Sequence, residues 1–264
     1  MSRKEETQSS LIQGNTDTGL LKLLALVFMI IDHTGKMFFF NIPEMRILGR
    51  IAFPLYAWCL VVGSEYTRDV WRYALRIAVV GLIAQPFYML GLNHTWVEPN
   101  IFLTLLLGLL GMIAIKEQKH WSHVWGPVLA VVLGSALKPD YGAQGVFFIL
   151  LLYATRKSRV ALLAAFLSYT VIWSGGSPHT SFFGWRLPIF DIPLLNDVIS
   201  PFFRTQALCW MALPLILIPT NTRFRLPKWL GYSAYPLHLA VIAAIRYRGT
   251  IELWLRNLFA GLPG

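Results

Sequence analysis

Apolar runs long enough to cross the hydrocarbon of a bilayer recur along almost the whole chain. A helix needs about 20 residues to cross roughly 30 Å of hydrocarbon. Because lipid offers no hydrogen-bond partner to the backbone, such runs fold as helices. Hydrophobic residues make up 56% of the sequence and charged residues only 14%, which excludes an ordinary soluble domain. The sequence therefore predicts an all-α polytopic integral membrane protein.

We predict about nine transmembrane helices, with spans at residues 20–40, 47–66, 73–91, 100–116, 123–137, 142–155, 159–174, 205–220 and 229–246. Residues 1–18 are polar, so we expect a mobile cytoplasmic tail before a single domain that covers residues 19–264. The first span is too long for the apolar region of a signal peptide and lacks a small-residue cleavage site, so we expect it to remain as a signal anchor.

Basic residues collect at the ends of alternate spans, which indicates that the N-terminus lies in the cytoplasm. With this orientation, five basic clusters fall on the cytoplasmic side: Arg3, Lys4 and Lys22; Arg68, Arg72 and Arg76; Lys116 and Lys119; Arg156, Lys157 and Arg159; and Arg223, Arg225 and Lys228. The net charge of +10 is thus explained by topology, and it does not indicate nucleic-acid binding.

Neither cysteine chemistry nor a metal site is expected. Cys59 and Cys209 fall inside apolar spans, which predicts buried free thiols. His120 and His123 are three residues apart but do not form a convincing ligand set. The sequence has no Walker loop and no GxGxxG fingerprint, so it predicts no nucleoside triphosphate or dinucleotide site.

Polar side chains interrupt the spans mainly in the half of the membrane that faces away from the cytoplasm. Ionisable groups at the centre of a span cost about 2.5–3.5 kcal/mol each, so they usually mark functional sites. The stretch IIDHTGK places Asp32 and His33 in the outer half of the first span. The other polar residues expected in that half are Arg46, Arg50, Gln85, Asn93, Asn100, Lys138, Asp140, Tyr141, Gln144, Tyr235 and His238. This distribution predicts one polar cavity that opens outward.

Helix geometry limits how Asp32 and His33 can act. Neighbours on a helix point about 100° apart, so Asp32 cannot orient the His33 ring. We expect Asp32 to pair with Lys36 or Arg50, and His33 to have Asp140 or His238 as its partner. A histidine in such a cavity suits proton transfer, and an arginine beside it suits an oxyanion or a phosphate. The alternative is structural, with ion pairs at the interface and arginines that reach the lipid headgroups.

Six stretches resemble one known family and occur in the expected order: LKLLALVFMIIDHTGK (21–36), GRIAFPLYAWCLVVG (49–63), GLIAQPFYMLG (81–91), NIFLTLLLG (100–108), DYGAQGVFFILLLY (140–153) and YSAYPLHLAV (232–241). The chain resembles the TraX family, membrane proteins of conjugative plasmids that N-acetylate pilin. That family is similar to a broader superfamily of membrane acyltransferases, which includes heparan-α-glucosaminide acetyltransferase.

The resemblance implies an acetyltransferase of the bacterial inner membrane. The acyl donor would be cytosolic acetyl-CoA, and the acceptor would be the N-terminal amine of a conjugative pilin on the periplasmic side. His33 is then the main catalytic candidate, with Asp32 and Arg50 as a pair beside it. Many family members carry an acidic residue near Gln85, and an amide cannot take over the role of a base. Whether His33 carries the acetyl group or only removes a proton remains open.

The remaining candidates are grouped by the ligand that they would contact. Candidate substrate-binding residues are Asp140, Tyr141, Gln144, Asn100, Gln85, Tyr235 and His238. Candidate residues for the phosphates of CoA are Arg68, Arg72 and Arg76, although these also fit the plain positive-inside pattern. The alternative functions are head-to-tail cyclisation of pilin, transfer of another acyl group, or a non-enzymatic chaperone or transporter.

Two segments lie outside the matched stretches. Residues 174–203 are rich in Pro and Gly yet apolar, and we expect them to cover the mouth of the cavity and to receive pilin. Residues 249–259 predict a short amphipathic helix at the membrane interface, with Trp254 as its anchor.

Overall fold

The computed structural model describes residues 12–222 and 224–250, and most of these residues are helical. The α-helices are α1 (Thr18–Phe38), α2 (Pro43–Gly49), α3 (Ala52–Tyr66), α4 (Val70–Leu92), α5 (Ile101–Glu117), α6 (Ser122–Leu137), α7 (Gly142–Thr155), α8 (Arg159–Trp173), α9 (Pro193–Ile199), α10 (Leu213–Leu217) and α11 (Lys228–Arg246). A two-stranded antiparallel hairpin, β1 (Ser181–Phe182) and β2 (Trp185–Arg186), lies between α8 and α9. Short 3₁₀ helices occur at Lys119–Trp121, Pro188–Asp191, Ser200–Phe203 and Ala207–Ala212.

The helices fit a membrane protein, as predicted. Three segments within the described ranges are long and apolar enough to cross a membrane by length and composition, namely Thr18–Phe38, Pro43–Tyr66 and Val70–Leu92. Shorter apolar helices cover Gly142–Thr155, Arg159–Trp173 and Ala207–Leu217. The total of nine spans and the cytoplasmic N-terminus stay predictions.

Several helices begin where a side chain caps the first turn. An Asp, Asn or Ser before a helix satisfies backbone N–H groups that have no partner inside the helix. Asp17 accepts from the Leu20 N–H before α1, and Asp69 accepts from the Arg72 N–H before α4. Asn100 and Ser158 cap α5 and α8 in the same way. These caps place the helix starts within a few residues of the predicted spans.

Two predicted spans are interrupted. The span at 47–66 is divided between α2 and α3, with Arg50 and Ile51 at the break. The span at 205–220 consists of a 3₁₀ helix and the short α10, so it cannot cross the bilayer as one regular helix. Pro214 lies in the first turn of α10, and Ile218 ends that helix in an extended conformation just before Pro219. Proline lacks the N–H that would continue a helix, which accounts for the early end.

The core is built around α3, which is apolar on all sides. A helix of this kind is stable only when neighbours surround it. Its Trp58 is fully buried, and the helix packs against α1, α5, α7 and the 207–217 segment. Cys59 and Cys209 are both buried and free, as the sequence predicts.

Residues 12–17 pack against this core. The Gln13 N–H donates to the Arg156 carbonyl at 2.7 Å, and the Trp58 indole donates to the Asn15 carbonyl at 2.7 Å. Polar backbone groups of these residues thus find partners on neighbouring helices, and the mobile tail at residues 1–18 stays a prediction. The rest of the predicted tail, residues 1–11, lies outside the described residues.

The segment 174–203 forms the hairpin, α9 and two 3₁₀ helices beside α2. The Phe183 N–H donates to Glu44 Oε1 at 2.6 Å, and the His179 N–H donates to the Phe203 carbonyl at 2.9 Å. Its predicted role in covering a cavity and receiving pilin stays a prediction. Most of the amphipathic helix predicted at 249–259, including Trp254, lies outside the described residues.

Candidate functional site

One cavity of about 280 Å³ follows α1 along most of its length. On α1 its wall includes Lys22 near one end and Lys36 near the other. These residues are fourteen positions apart, which corresponds to about 20 Å along a helix. Residues at the Lys22 end include Tyr73, Leu226 and Tyr232, whereas residues at the Lys36 end include Arg46, His94 and Asp140. The cavity thus connects the two ends of α1, and we call these ends the Lys22 end and the Lys36 end.

Asp32 forms a double ion pair at the Lys36 end. Its carboxylate lies 2.6 Å from Arg46 Nη1 and 2.7 Å from Arg50 Nη2, and its side chain is 11% exposed. Arg50 also donates to the Arg46 carbonyl and to Gln206 Oε1, at 3.2 and 3.3 Å. The predicted Asp32–Arg50 pair is present, and Arg46 completes it. Lys36 does not pair with Asp32.

Arg46 and Arg50 are four residues apart and both face α1, because Arg50 keeps helical φ and ψ at the end of α2. Gly49 packs directly on Asp32, and a Cβ atom at this position would collide with the Asp32 side chain. The absence of a side chain lets α2 approach α1 closely enough for both arginines to reach the same carboxylate.

His33 and His238 form a hydrogen-bonded pair between α1 and α11. His33 Nδ1 lies 2.8 Å from His238 Nε2, and the two rings stack with an interplanar angle of 16°. Of the two partners that the sequence suggested, the structure selects His238. Asp140 lies elsewhere on the cavity wall.

The hydrogen bonds of this pair fix the tautomers of the two neutral rings. His238 Nδ1 lies 2.8 Å from the Ala234 carbonyl, which can only accept, so Nδ1 carries the proton. His238 Nε2 then accepts, and His33 donates through Nδ1. This arrangement leaves the lone pair on His33 Nε2, for which the described residues provide no partner. His33 lines the cavity, so its free nitrogen suits a base or a nucleophile there.

Asp140 and Tyr141 reach the cavity from the turn between α6 and α7. Tyr141 has a positive φ of 66° and stacks on Phe53 with ring centroids 4.2 Å apart. The Asp140 N–H donates to the Pro99 carbonyl, and the Thr104 hydroxyl donates to the Asp140 carbonyl. Burial raises the pKa of the Asp140 carboxyl, although the charges of Arg50 and Lys36 oppose this shift. Lys138 is exposed and does not pair with Asp140.

Four predicted substrate-binding residues do not line the cavity: Gln85, Asn100, Gln144 and His238, the last of which contacts His33. Asn100 caps α5, and Gln85 accepts from the Asn100 amide at 2.9 Å and donates to the Glu98 carbonyl at 3.0 Å. These two residues join α4 to α5. Gln144 is exposed on α7, and its carbonyl accepts from the Tyr169 hydroxyl. Asn100 is thus a helix cap that Gln85 holds in place, and Gln144 lies on the outside of the fold.

The predicted CoA-binding arginines lie at the start of α4. Arg68, Arg72 and Arg76 line a shallow groove outside the main cavity. Arg72 pairs with Asp69 at 2.9 Å, and the Arg76 guanidinium lies 5.8 Å from the centroid of the Tyr73 ring. Because Tyr73 lines the main cavity at its Lys22 end, the arginine groove and the cavity are neighbours.

The sequence reasoning missed a second polar cluster at the Lys36 end. Lys36 Nζ lies 2.8 Å from His94 Nε2, and the His94 ring stacks on Tyr88 with centroids 4.5 Å apart. His94 Nδ1 is 3.5 Å from Glu98, and hydrogen bonds from Thr95 lower the pKa of the Glu98 carboxyl. His94 directly follows the left-handed Asn93 that ends α4, so sequence periodicity gave no indication of its direction.

Comparison with known proteins identifies the family. A sequence profile described as TraX protein matches residues 17–246, which is most of the chain. The chain belongs to the TraX family. Within the described residues, no group of three or more His, Cys, Asp or Glu side chains is arranged to hold a metal ion.

Curated relatives of this TraX-family chain share modest identity with it. It is 29% identical to a protein TraX of Escherichia coli over 169 residues, which cover 61% of this chain and 67% of that protein. A protein TraX of Escherichia coli strain K12 is 24% identical over 250 residues, which cover 90% of each chain. A probable fimbrial assembly protein FimC, serogroup H1, of Dichelobacter nodosus is 29% identical over 164 residues, 55% of this chain and 67% of that protein. No solved structure matches the chain.

We expect Asp32→Asn to destabilise this TraX-family protein by about 3–5 kcal/mol, because it leaves two cations without their shared carboxylate. Adding Arg50→Gln should return part of that loss, since it removes the more buried cation, whose side chain is 12% exposed. Unfolding in detergent micelles measures both effects.

The matched control is Asp191→Asn, which removes an exposed ion pair with Arg186 and should change stability by less than about 1 kcal/mol. Equal losses at Asp32 and Asp191, or a double variant no more stable than Asp32→Asn, would contradict the proposed energetic role of the ion pair.

Proposed function

We propose that this protein is a membrane acetyltransferase that moves an acetyl group from cytosolic acetyl-CoA to the N-terminal amine of a pilin. Membership of the TraX family supports the pilin acceptor, and a relative named as a probable fimbrial assembly protein agrees with it. The observation that carries the proposal is the cavity along α1, because it joins the Lys22 end to the free nitrogen of His33.

The proposed topology places the Lys22 end in the cytoplasm and the Lys36 end in the periplasm, with about nine spans in the inner membrane. Acetyl-CoA is a cytosolic metabolite, whereas the N-terminus of an inserted pilin lies on the other face. A protein that joins them must admit the donor from one side and the acceptor from the other. A cavity about 20 Å long inside the helix bundle meets this requirement.

Residues at the Lys22 end suit the donor. Lys22 lines the cavity there, and the neighbouring groove holds Arg72 and Arg76 on α4 and Arg68 just before it. We propose that these cations attract the phosphates of CoA, because hydrogen bonds from a charged donor to a phosphate are strong. The wall between Tyr73 and Met29 is mainly apolar, which suits the flexible arm that carries the thioester.

Residues at the Lys36 end suit the amine. The carboxylate of Asp140 faces the cavity, and a carboxylate attracts an amine in its ammonium form. An α-amine has an ordinary pKa near 7.7–8.0, so the ammonium readily loses its first proton to water at the Lys36 end and becomes nucleophilic. In the proposed reaction, His33 Nε2 takes the second proton as the neutral amine attacks, and His238 holds the ring in the tautomer that leaves Nε2 free.

Asp32, Arg46 and Arg50 are proposed to support the site by fixing its walls. Because both arginines bind Asp32 at 2.6–2.7 Å, they hold α2 and α3 against the turn of α1 that carries His33. Their charges also favour negative charge nearby, although their hydrogen bonds are directed to Asp32.

His33→Ala should abolish acetylation of co-expressed pilin without lowering the amount of membrane-inserted protein. The substitution removes His33 Nε2, the ring nitrogen that acts as the base in the proposed mechanism. Intact-mass spectrometry of the pilin distinguishes acetylation, which adds C₂H₂O, from cyclisation, which removes water, and from transfer of a longer acyl group.

The control for this experiment is His123→Ala, which removes an exposed histidine in the first turn of α6, at the end of that helix away from Asp140. It should leave acetylation unchanged. Acetylated pilin from the His33→Ala protein would exclude His33 from the mechanism, and unmodified pilin from the wild-type protein would favour a chaperone or transporter.

His238→Ala should lower kcat by about 10²-fold, within the range of general acid–base contributions, because His33 Nδ1 loses its acceptor. KM for the pilin N-terminal peptide should change little. His238→Gln should recover part of kcat, since its amide oxygen can accept from His33. Steady-state kinetics of purified protein in detergent measure the difference. Equal activity of the Ala and Gln variants would contradict a positioning role through this hydrogen bond.

A further inference from the structure

Tyr235 on α11 carries a buried hydroxyl group that lacks a partner. The residue is 5% exposed, and its hydroxyl makes no hydrogen bond within the described ranges 12–222 and 224–250. Leaving a buried hydroxyl unpaired costs folding free energy, so buried hydroxyls nearly always have partners. An exception on the wall of a cavity leaves a donor that a ligand can engage.

The position of Tyr235 shows where that ligand would lie. Tyr235 lines the cavity and meets the His33 ring edge-on, with centroids 6.3 Å apart. It lies three residues before His238 on the same helix, so both side chains lie on one face of α11. Phe102 packs edge-on against the Tyr235 ring at 5.0 Å and limits its movement.

The charged donors in this part of the cavity already have partners. Arg46 and Arg50 donate to Asp32, and Lys36 lies 2.8 Å from His94. Tyr235 therefore offers a neutral, uncommitted donor beside His33. A neutral donor is also easier to keep in an apolar wall than a charge, because its desolvation costs less.

We propose that the Tyr235 hydroxyl donates a hydrogen bond to the acyl oxygen of the thioester during transfer. This inference rests on the proposed function and adds a catalytic residue to it. Negative charge develops on that oxygen as the amine attacks, and a donor fixed in advance in a site without bulk water stabilises the charge. The donor, the base at His33 and the acyl group would then meet at one level of the cavity.

The step balances without an oxidant or a reductant. The amine nitrogen forms a bond to the acyl carbon, and the electron pair of the C=O bond moves to the oxygen that Tyr235 binds. His33 Nε2 takes one proton from the nitrogen. The C=O bond then re-forms as the C–S bond breaks, and the thiolate leaves and receives the proton from His33. The products are an amide and a free thiol.

Tyr235→Phe tests this role, because it removes one oxygen atom and keeps the ring that packs on Phe102. We expect kcat of the full-length protein to fall by about 10²–10³-fold, as it does when an oxyanion donor is removed from other enzymes. KM for acetyl-CoA and for the pilin peptide should stay near the wild-type values, and the protein should unfold at the same temperature or higher. The matched control is Tyr169→Phe, which removes a hydroxyl outside the cavity and should keep wild-type kcat.

Each other outcome counts against a definite claim. A Tyr235→Phe protein with wild-type kcat, next to an inactive His33→Ala protein, would overturn the role of Tyr235 and leave the proposed function standing. A raised KM with unchanged kcat would also overturn it, because the hydroxyl would then bind the ground state only. A wild-type protein that transfers no acetyl group would overturn the proposed function itself.

Discussion

The double ion pair of Asp32 with Arg46 and Arg50 is the interaction on which the site depends. A single carboxylate within an apolar helix is costly, and one arginine alone would leave it partly unsatisfied. Two arginines from the break between α2 and α3 satisfy it, at 2.6 and 2.7 Å. The same contact fixes the face that α1 presents to its neighbours. His33, the next residue, therefore points about 100° away, toward α11 and the cavity.

This arrangement separates two tasks between neighbouring residues. Asp32 takes part in holding the helices together, whereas His33 keeps one ring nitrogen free. His238 makes that separation complete, because its own bond to the Ala234 carbonyl determines which nitrogen of His33 carries the proton. The charged groups of the site thus shape its walls, and the proposed chemistry belongs to neutral groups on α1 and α11. A site of this kind fits a membrane interior, where new charge is expensive and fixed donors are effective.

Sequence reasoning predicted much of this structure for clear physical reasons. Apolar runs in lipid must be helical, and polar residues within them need partners, so the fold class and the pairing of Asp32 with Arg50 could be predicted. The partner of His33 could only be narrowed to two residues, because His238 is 205 positions away and the choice depends on how α11 packs. His94 was missed because the left-handed Asn93 sets its direction.

Some predicted site residues lie off the cavity wall for local reasons. Asn100 precedes an apolar run, where an asparagine is a common helix cap. Its polar side chain therefore has a structural explanation that needs no substrate. Gln144 lies within the first turn of α7, where each residue turns the side chain by about 100°, so it does not follow Asp140 and Tyr141 into the cavity. The span predicted at 205–220 rests on its apolar composition. Pro214 and Pro219 keep this segment from forming one continuous helix.

The most direct test is an experimental structure of the full-length protein bound to a thioether analogue of acetyl-CoA that cannot transfer its acyl-like group. Density for the nucleotide is expected beside Lys22 and Arg76, and density for the arm along α1, with its end next to His33 and Tyr235. Density confined to another surface, or a His33 ring directed to lipid with side chains closing the passage from the Lys22 end, would contradict this expectation.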